Sequence, residues 1–256
     1  MSYSRLLSLG AACALPALAQ EPLTIEQLIV DAQRTQLAVV ADSRASAAES
    51  GARAHGWGVA LRHGLNSHLE LNALYRESRS VQRLGGEEVS DSARSLSLGG
   101  NWMVHREDRL PALLMEVRAY FRHRDAGVSD WFDGYQVALT TYRSIDPVVL
   151  SLRVGRQEYA DLSIEGRELE RGGSWIVEPR VSFAVNHRVT LYGGLFGTWS
   201  DPSLLGAQDL GAVRQDVGIN GGFAYAPTPR QTIFVNAETA TGNRSAVLGL
   251  QWYYTF

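Results

Sequence analysis

Polar and charged residues fall in phase, two apart, through much of this chain, and they are the groups able to do chemistry. Arg62 stands on one such face. Glu70, Asn72 and Arg76 share the next, followed by Asn101, by Glu116, Arg118 and Arg122, and by Arg153. Further on come Glu178 with Arg180, Asp216 with Asn220, Asn236 with Glu238, and Gln251. Enclosed together, carboxylates and guanidiniums have two uses. They pair, because arginine's planar fork meets a carboxylate with two parallel hydrogen bonds, or they present a field to a passing solute. Pairing is the expectation for most of them, and Arg118, Arg122 and Arg153 are the set that would act on an acidic solute.

Bond-making chemistry has less behind it. The six histidines (His55, His63, His68, His105, His123 and His187) fall mostly at strand ends or turns. No G-x-S-x-G elbow, H-E-x-x-H pair or phosphate loop is present. His123 beside Ser129 and Asp130 is the one place to look for a hydrolase acting on lipid, and a solvated polar loop explains the same residues. Asp125, Asp130 and Asp133 lack the spacing of a calcium loop. The expectation is therefore no enzyme, no catalytic residue, no metal and no cofactor.

Spacing of two requires strands, since successive side chains of a strand point to opposite faces. The clearest case is Ser245 to Phe256, where Ala246, Leu248, Leu250, Trp252, Tyr254 and Phe256 alternate with smaller or more polar residues. Leu113, Met115, Val117, Ala119 and Phe121 oppose Leu114, Glu116, Arg118, Tyr120 and Arg122. Trp175, Val177, Pro179, Val181, Phe183 and Val185 oppose Ile176, Glu178, Arg180, Ser182 and Ala184. A ten-residue strand with one apolar face and aromatics at its end is the unit of a transmembrane β-barrel. The alternative, a soluble sandwich, would turn its charges outward into water.

Twelve strands are expected, at 35–45, 54–64, 67–79, 93–105, 111–123, 132–143, 148–158, 174–186, 189–200, 213–226, 231–240 and 245–256. The connections alternate in length. Short ones lie near His63–Ser67, His105–Pro111, Ser144–Pro147, Asn186–Arg188 and Ala226–Arg230; longer ones span 46–53, 80–92, 124–131, 159–173 and 201–212, with a short 241–244 in the same set. Outer-membrane barrels sort their turns in this way, short on the periplasmic side and long outside. The expected fold is all-β: a 12-stranded antiparallel transmembrane barrel over 35–256, in the bacterial outer membrane, with both termini periplasmic.

The amino terminus has its own pattern. Arg5, the apolar run Leu6 to Leu15 and Ala17-Leu18-Ala19 read as a signal peptide over 1–19. The single cysteine, Cys13, lies inside it, so the processed chain has no thiol for disulfides or thiolate metal sites. In the periplasmic segment 20–34 the spacing predicts a short helix over 24–34. Thr24 and Gln27 form a capping box, and Ile25, Leu28, Ile29 and Ala32 share one face. Three turns cannot stand alone in water, so this helix must dock, either as a leader at the barrel mouth or as a plug within it.

Composition agrees. The 256 residues are 45% hydrophobic and 20% charged with a net charge of −3, which suits a folded domain. All 24 basic residues are arginine, and the slightly acidic balance argues against nucleic acid as a partner.

Several segments carry a family resemblance. ALRHGLNSHLELNALYR (60–76), YRSIDPVVLSLRVG (142–155), VEPRVSFAVNHRVTLYGGLF (177–196) and the LGLQWYYTF end resemble outer-membrane transporters labelled "meta-pathway of phenol degradation". That family is in turn similar to the functional-amyloid (Fap) secretion channel. The motifs are the Gly64-Leu65-Asn66 turn, His68-Leu69-Glu70-Leu71 and the Asp146-Pro147 turn. The resemblance implies a twelve-stranded barrel with a helical plug, and export of a fibre-forming polypeptide or transport of small aromatic compounds. The chain lacks the long coiled-coil region that precedes the plug in the secretion channel, so a monomer and a trimer both stay open. The partners expected are outer-membrane lipid and a secreted polypeptide. A helix-gated export channel is the first reading; uptake of small aromatic or hydrophobic compounds and outer-membrane lipid hydrolysis are the alternatives.

Overall fold

The computed structural model describes residues 29–46, 51–84, 87–124, 131–164, 167–205, 208–209, 214–241 and 245–256. The wall strands are β1 (Thr35–Ser46), β2 (Arg53–Gly64), β3 (Leu69–Leu84), β4 (Glu87–His105), β5 (Ala112–Arg124) and β6 (Phe132–Ile145). They continue with β7 (Val148–Tyr159), β10 (Ser174–Asn186), β11 (Val189–Ser200), β14 (Arg214–Thr228), β15 (Gln231–Ala240) and β16 (Ser245–Thr255). Neighbours in sequence pair antiparallel, and β16 returns to pair with β1 from Gln36↔Thr255 to Ser46↔Ser245. The result is a closed barrel of twelve strands with no free edge.

Each expected strand overlaps one of these wall strands, and several wall strands, β3 and β4 above all, run beyond the expected bounds. The turns that join them at one mouth are locally encoded. Asn66 Oδ1 accepts from the backbone N–H of His68 and Leu69 at 2.8 and 2.9 Å, and Asn186 Oδ1 accepts from Arg188 and Val189 at 2.8 and 3.0 Å. In both, an asparagine side chain mimics the backbone of a tight turn. This short-turn mouth also holds Thr35 and Phe256.

The long-loop end departs from expectation in two places. The 80–92 connection is mostly strand, with β3 and β4 paired as far as Leu84↔Glu87. Polar residues on both faces hide this ladder from a periodicity reading, because above a membrane both faces meet water. The 159–173 and 201–212 connections fold in part into a second sheet: β8 (Leu162–Ile164), β9 (Arg167–Glu170), β12 (Leu204–Leu205) and β13 (Gln208–Asp209), in the order β13-β12-β9-β8.

The barrel wears its apolar residues outside. Val59, Leu61, Leu98, Val117, Leu139, Leu152, Val181, Leu195, Ile219 and Leu250 are all exposed and outward. Trp57, Tyr75, Tyr135, Trp175 and Trp199 ring the long-loop end of this belt; Trp102, Phe183, Tyr225, Trp252 and Phe256 ring the other. Only hydrocarbon solvates a continuous apolar cylinder, and paired aromatic girdles mark its two interfaces with water. Among the described residues no helix is long and apolar enough to span a membrane; the crossing is made by strands.

One expectation is corrected. Ile29 to Arg34 form no helix. Gln33 has φ of 63°, which no α-helix passes through, and Ala32 makes a parallel bridge with Gly64 of the wall. The capping-box pattern expresses a local preference, whereas here the backbone N–H groups find partners on the barrel. Ile25 and Leu28, and residues 1–28 as a whole, lie outside the described residues.

Candidate functional site: the lumen and its short-turn mouth

Inward positions of the strands build the site. At the short-turn end four neighbouring strands each contribute one polar side chain: Gln36, Arg62, Glu70 and Asn101. Glu70 is wholly buried, and both its oxygens are taken. Oε1 accepts from Arg62 Nε at 2.9 Å and Asn101 Nδ2 at 3.1 Å; Oε2 accepts from Arg62 Nη2 at 2.9 Å and the backbone N–H of Val30 at 2.7 Å. Arg62 Nη1 donates to Gln36 Oε1 at 3.1 Å. A charge removed from water needs this degree of satisfaction, since leaving it partnerless costs several kcal/mol.

Val30 belongs to the segment that precedes the first strand, so the wall's most buried carboxylate holds the chain's own amino-terminal stretch. The neighbouring contacts secure it. Gln33 N–H donates to the Gly64 carbonyl at 2.6 Å, and Gly64 N–H donates to the Arg34 carbonyl at 3.1 Å. Ile29 packs against an apolar patch of Met103, Ala112 and Leu114, with Tyr142 beside it. From β1 the segment therefore passes β2 and β3 and reaches the inward faces of β4 and β5, crossing the mouth. Gly64 is the residue that admits it: a Cβ there would stand 2.3 Å from the Asp31 carbonyl oxygen and 2.4 Å from that of Val30.

Further in, ion pairs line the wall. Arg153 reaches Glu116 at 3.3 Å and Glu178 at 3.5 Å, and Arg118 lies 3.6 Å from Glu116. Arg76 pairs with Asp42, and Arg44 lies within electrostatic reach of Asp42 and Glu238. Arg180 covers the ring of Tyr192 at 5.8 Å. Toward the long-loop end Asp133 takes Arg122 at 3.2 Å and Arg171 at 2.7 Å. Arg171 also donates to the carbonyls of Ala160 and Asp133, at 2.7 and 2.8 Å. It comes from the loop after β9, so it ties the small sheet to the rim. A ring of Ala38, Ala60, Tyr192, Ala224, Phe234 and Tyr253 fills part of the inside, with Phe234 and Tyr253 edge to face at 5.3 Å.

Buried polar atoms without a hydrogen-bond partner among the described residues face each other across this interior. Among them are Asn72 Nδ2, Ser97 Oγ and Asn101 Oδ1 on β3 and β4, and Asn220 Oδ1 and Asn236 Oδ1 on β14 and β15. Each such atom costs about 1–3 kcal/mol dry, so these positions suit water or a hydrogen-bonding solute.

The structure thus places Arg62, Glu70, Arg76, Glu116, Arg118, Arg122, Arg153, Glu178, Arg180 and Glu238 on inward faces, in separate groups. Arg118, Arg122 and Arg153 each stand beside a carboxylate. Of the plug residues, Ile29 and Ala32 meet the wall, while Ile25 and Leu28 are outside the described residues. Reading the sequence passed over Gln36, Asp42 and Arg171, took Gly64 for part of a turn motif, and weighed Asp133 only against calcium spacing. Gln36 and Asp42 were findable from the phase of β1; Arg171 lies in a loop with no period. His123 is exposed, Ser129 and Asp130 lie outside the described residues, and among those described no group of side chains could hold a metal.

No family model matches the chain, and no curated relative does either. Solved structures do. The COG4313 outer membrane channel from Pseudomonas putida F1 matches with a TM-score of 0.68 at 11% identity, covering 91% of this chain and 100% of that one. The fold is that of outer-membrane barrels. The transport unit of the autotransporter AIDA-I from Escherichia coli matches at TM-score 0.59 and 12% identity, over 100% of this chain and 98% of that one. The NanC porin matches at 0.57 and 10%, over 85% and 98%. At these identities the likeness is one of architecture, and function rests on the chain's own residues.

Proposed function

We propose that this protein is an outer-membrane channel for small solutes, with both termini in the periplasm, whose periplasmic mouth is closed by its own Ile29–Arg34 segment. The observation that carries the reading is the bond from Val30 N–H to the buried Glu70 carboxylate, made inside a barrel whose exterior is solvated by lipid. A bond between a segment outside the wall ladders and the lumen wall is a contact that can be exchanged for water or solute, as gating requires. The membrane placement is supported by the belt of apolar residues with two aromatic girdles, and by the fold shared with outer-membrane channels.

Small solutes suit this lumen better than a polypeptide. Phe234, Leu114 and Glu70 are wholly buried on inward faces, Phe234 packed with Tyr192 and Tyr253, Leu114 with Met103, and Glu70 paired with Arg62. Export of a fibre-forming chain would require all of these to be displaced at once. Planar-bilayer recordings test the reading. Full-length mature protein should insert and show a small or mostly closed conductance, and a variant lacking residues 21–34 should conduct more. Equal conductance in the two would remove the segment from the account, and failure of either to insert would remove the membrane.

A further inference from the structure

The outer wall carries a cavity the channel does not use. It lies beside the short-turn mouth, has a volume of about 420 Å³, and is lined by Leu69, Gly100, Trp102, Met115 and Val117, with Asn66 and His68 at its edge. Gly100 makes it. Its missing side chain would point outward, toward Leu71 Cδ2 at 3.7 Å, whereas the neighbouring Gly99 faces inward toward Asn72. One bare position in an otherwise bulky row leaves a notch, walled on one side by the exposed Trp102.

The notch is apolar along the barrel and polar at its lower rim. Arg106 Nη2 donates to the carbonyl of Ser67 at 2.8 Å, which holds its guanidinium beside the two edge residues. Asn66 spends its carbonyl oxygen on the turn, so its amide N–H groups remain available as donors. His68 bonds Ser67 Oγ through Nδ1 at 3.0 Å and keeps Nε2 for another partner. The carboxylates of the adjacent turn are occupied elsewhere: Glu107 with Ser144 at 2.6 Å, and Asp108 with His105 at 3.3 Å. An imidazole and an amide edge the end of a hydrocarbon slot, with the Arg106 guanidinium held on Ser67, the residue between them.

We infer that this notch binds a phospholipid, one acyl chain lying over Gly100 against Trp102 and the phosphate seated on Arg106, His68 and Asn66. Charge and shape favour one amphiphilic anion over a protein helix, because the slot is short and its cationic end sits at the membrane interface. The site rests on the exterior face being in lipid, but not on the gating of the lumen.

Native mass spectrometry of the full-length mature protein, released from detergent after addition of phosphatidylglycerol, tests it. Wild type should retain one phosphatidylglycerol. Gly100→Leu, which fills the slot, and Arg106→Gln, which removes the cation, should each reduce retention about tenfold. Val117→Trp fills the slot from the neighbouring strand and serves if Gly100→Leu does not fold. Diacylglycerol, which has the chains without the phosphate, and glycerol phosphate, which has the phosphate without the chains, should both be retained poorly. Equal retention in wild type and the filled variants would overturn the site, as would diacylglycerol binding as well as phosphatidylglycerol. Bilayer insertion measured on the same samples separates this outcome from failure of the membrane reading.

Discussion

Replacing Gly64 by alanine should open the channel without loosening the barrel. The three atoms nearest a Cβ at this position, Asp31 O at 2.3 Å, Val30 O at 2.4 Å and Asp31 C at 2.9 Å, all belong to the docked segment and none to the wall. Ordinary contact begins near 3.4 Å, so the segment must withdraw by about 1 Å, the difference between 3.4 and 2.3 Å. A shift of that size lengthens the 2.7 Å Val30–Glu70 bond beyond hydrogen-bonding distance. A hydrogen bond to a charged group contributes about 1.5–3 kcal/mol, so docking should weaken by roughly ten- to a hundredfold. Single-channel recording reads this as a rise in open probability of the same order. Heat-modifiable mobility in SDS gels should stay at the wild-type position, because the wall ladders are untouched. Closed-time distributions matching wild type, with the barrel intact, would refute the reasoning.

Two other consequences concern the ends of the barrel. In the short turns, hydrogen bonds from the Ser144 hydroxyl and backbone N–H hold the Glu107 carboxyl below its ordinary value of 4.5. A depressed carboxyl adds stability that is present above the unfolded value and is lost as pH falls through the folded one. Exchange of the Ser144 amide should therefore accelerate as pH drops below the ordinary carboxylate range, beyond the intrinsic rate, and should lose that dependence in Glu107→Gln. At the other end, Arg171→Ala removes the cation that joins the small sheet to Asp133. Loss of one partner of a pair this buried costs about 3–5 kcal/mol. Proteases added outside intact cells should then cut within 160–173 much faster than in wild type, with the barrel core uncut.

How much was legible follows from where water is. Strands that cross hydrocarbon must alternate, so Leu113 to Arg122 and Trp175 to Ala184 reveal both their direction and their inward face. Above the membrane that constraint lapses: Glu77 to Ser92 is polar on both faces, and its ladder follows from continuation of the pairing below it. The two- to four-residue strands around Leu169 and Leu204 are too short to carry any period. The helix expected over 24–34 fails in its described part for a different reason. Its pattern is local, while the deciding partners, Glu70 and Gly64, are 40 and 31 residues away from Val30 and Gln33. Gly64 looked like part of a turn motif; that its bareness makes room for a backbone is a tertiary fact.

A reversible tether addresses the gating claim most directly. Ile29 packs against the cluster of Met103, Ala112 and Leu114, and the processed chain is expected to have no other thiol. Cysteines at two of these positions, Ile29→Cys with Leu114→Cys, should form a disulfide that fixes the segment in place. With the cross-link confirmed by a gel shift, the oxidised channel should remain at its low conductance and the reduced one should show openings to a higher level. Identical conductance in the two states would mean that the segment sits in the mouth without closing it.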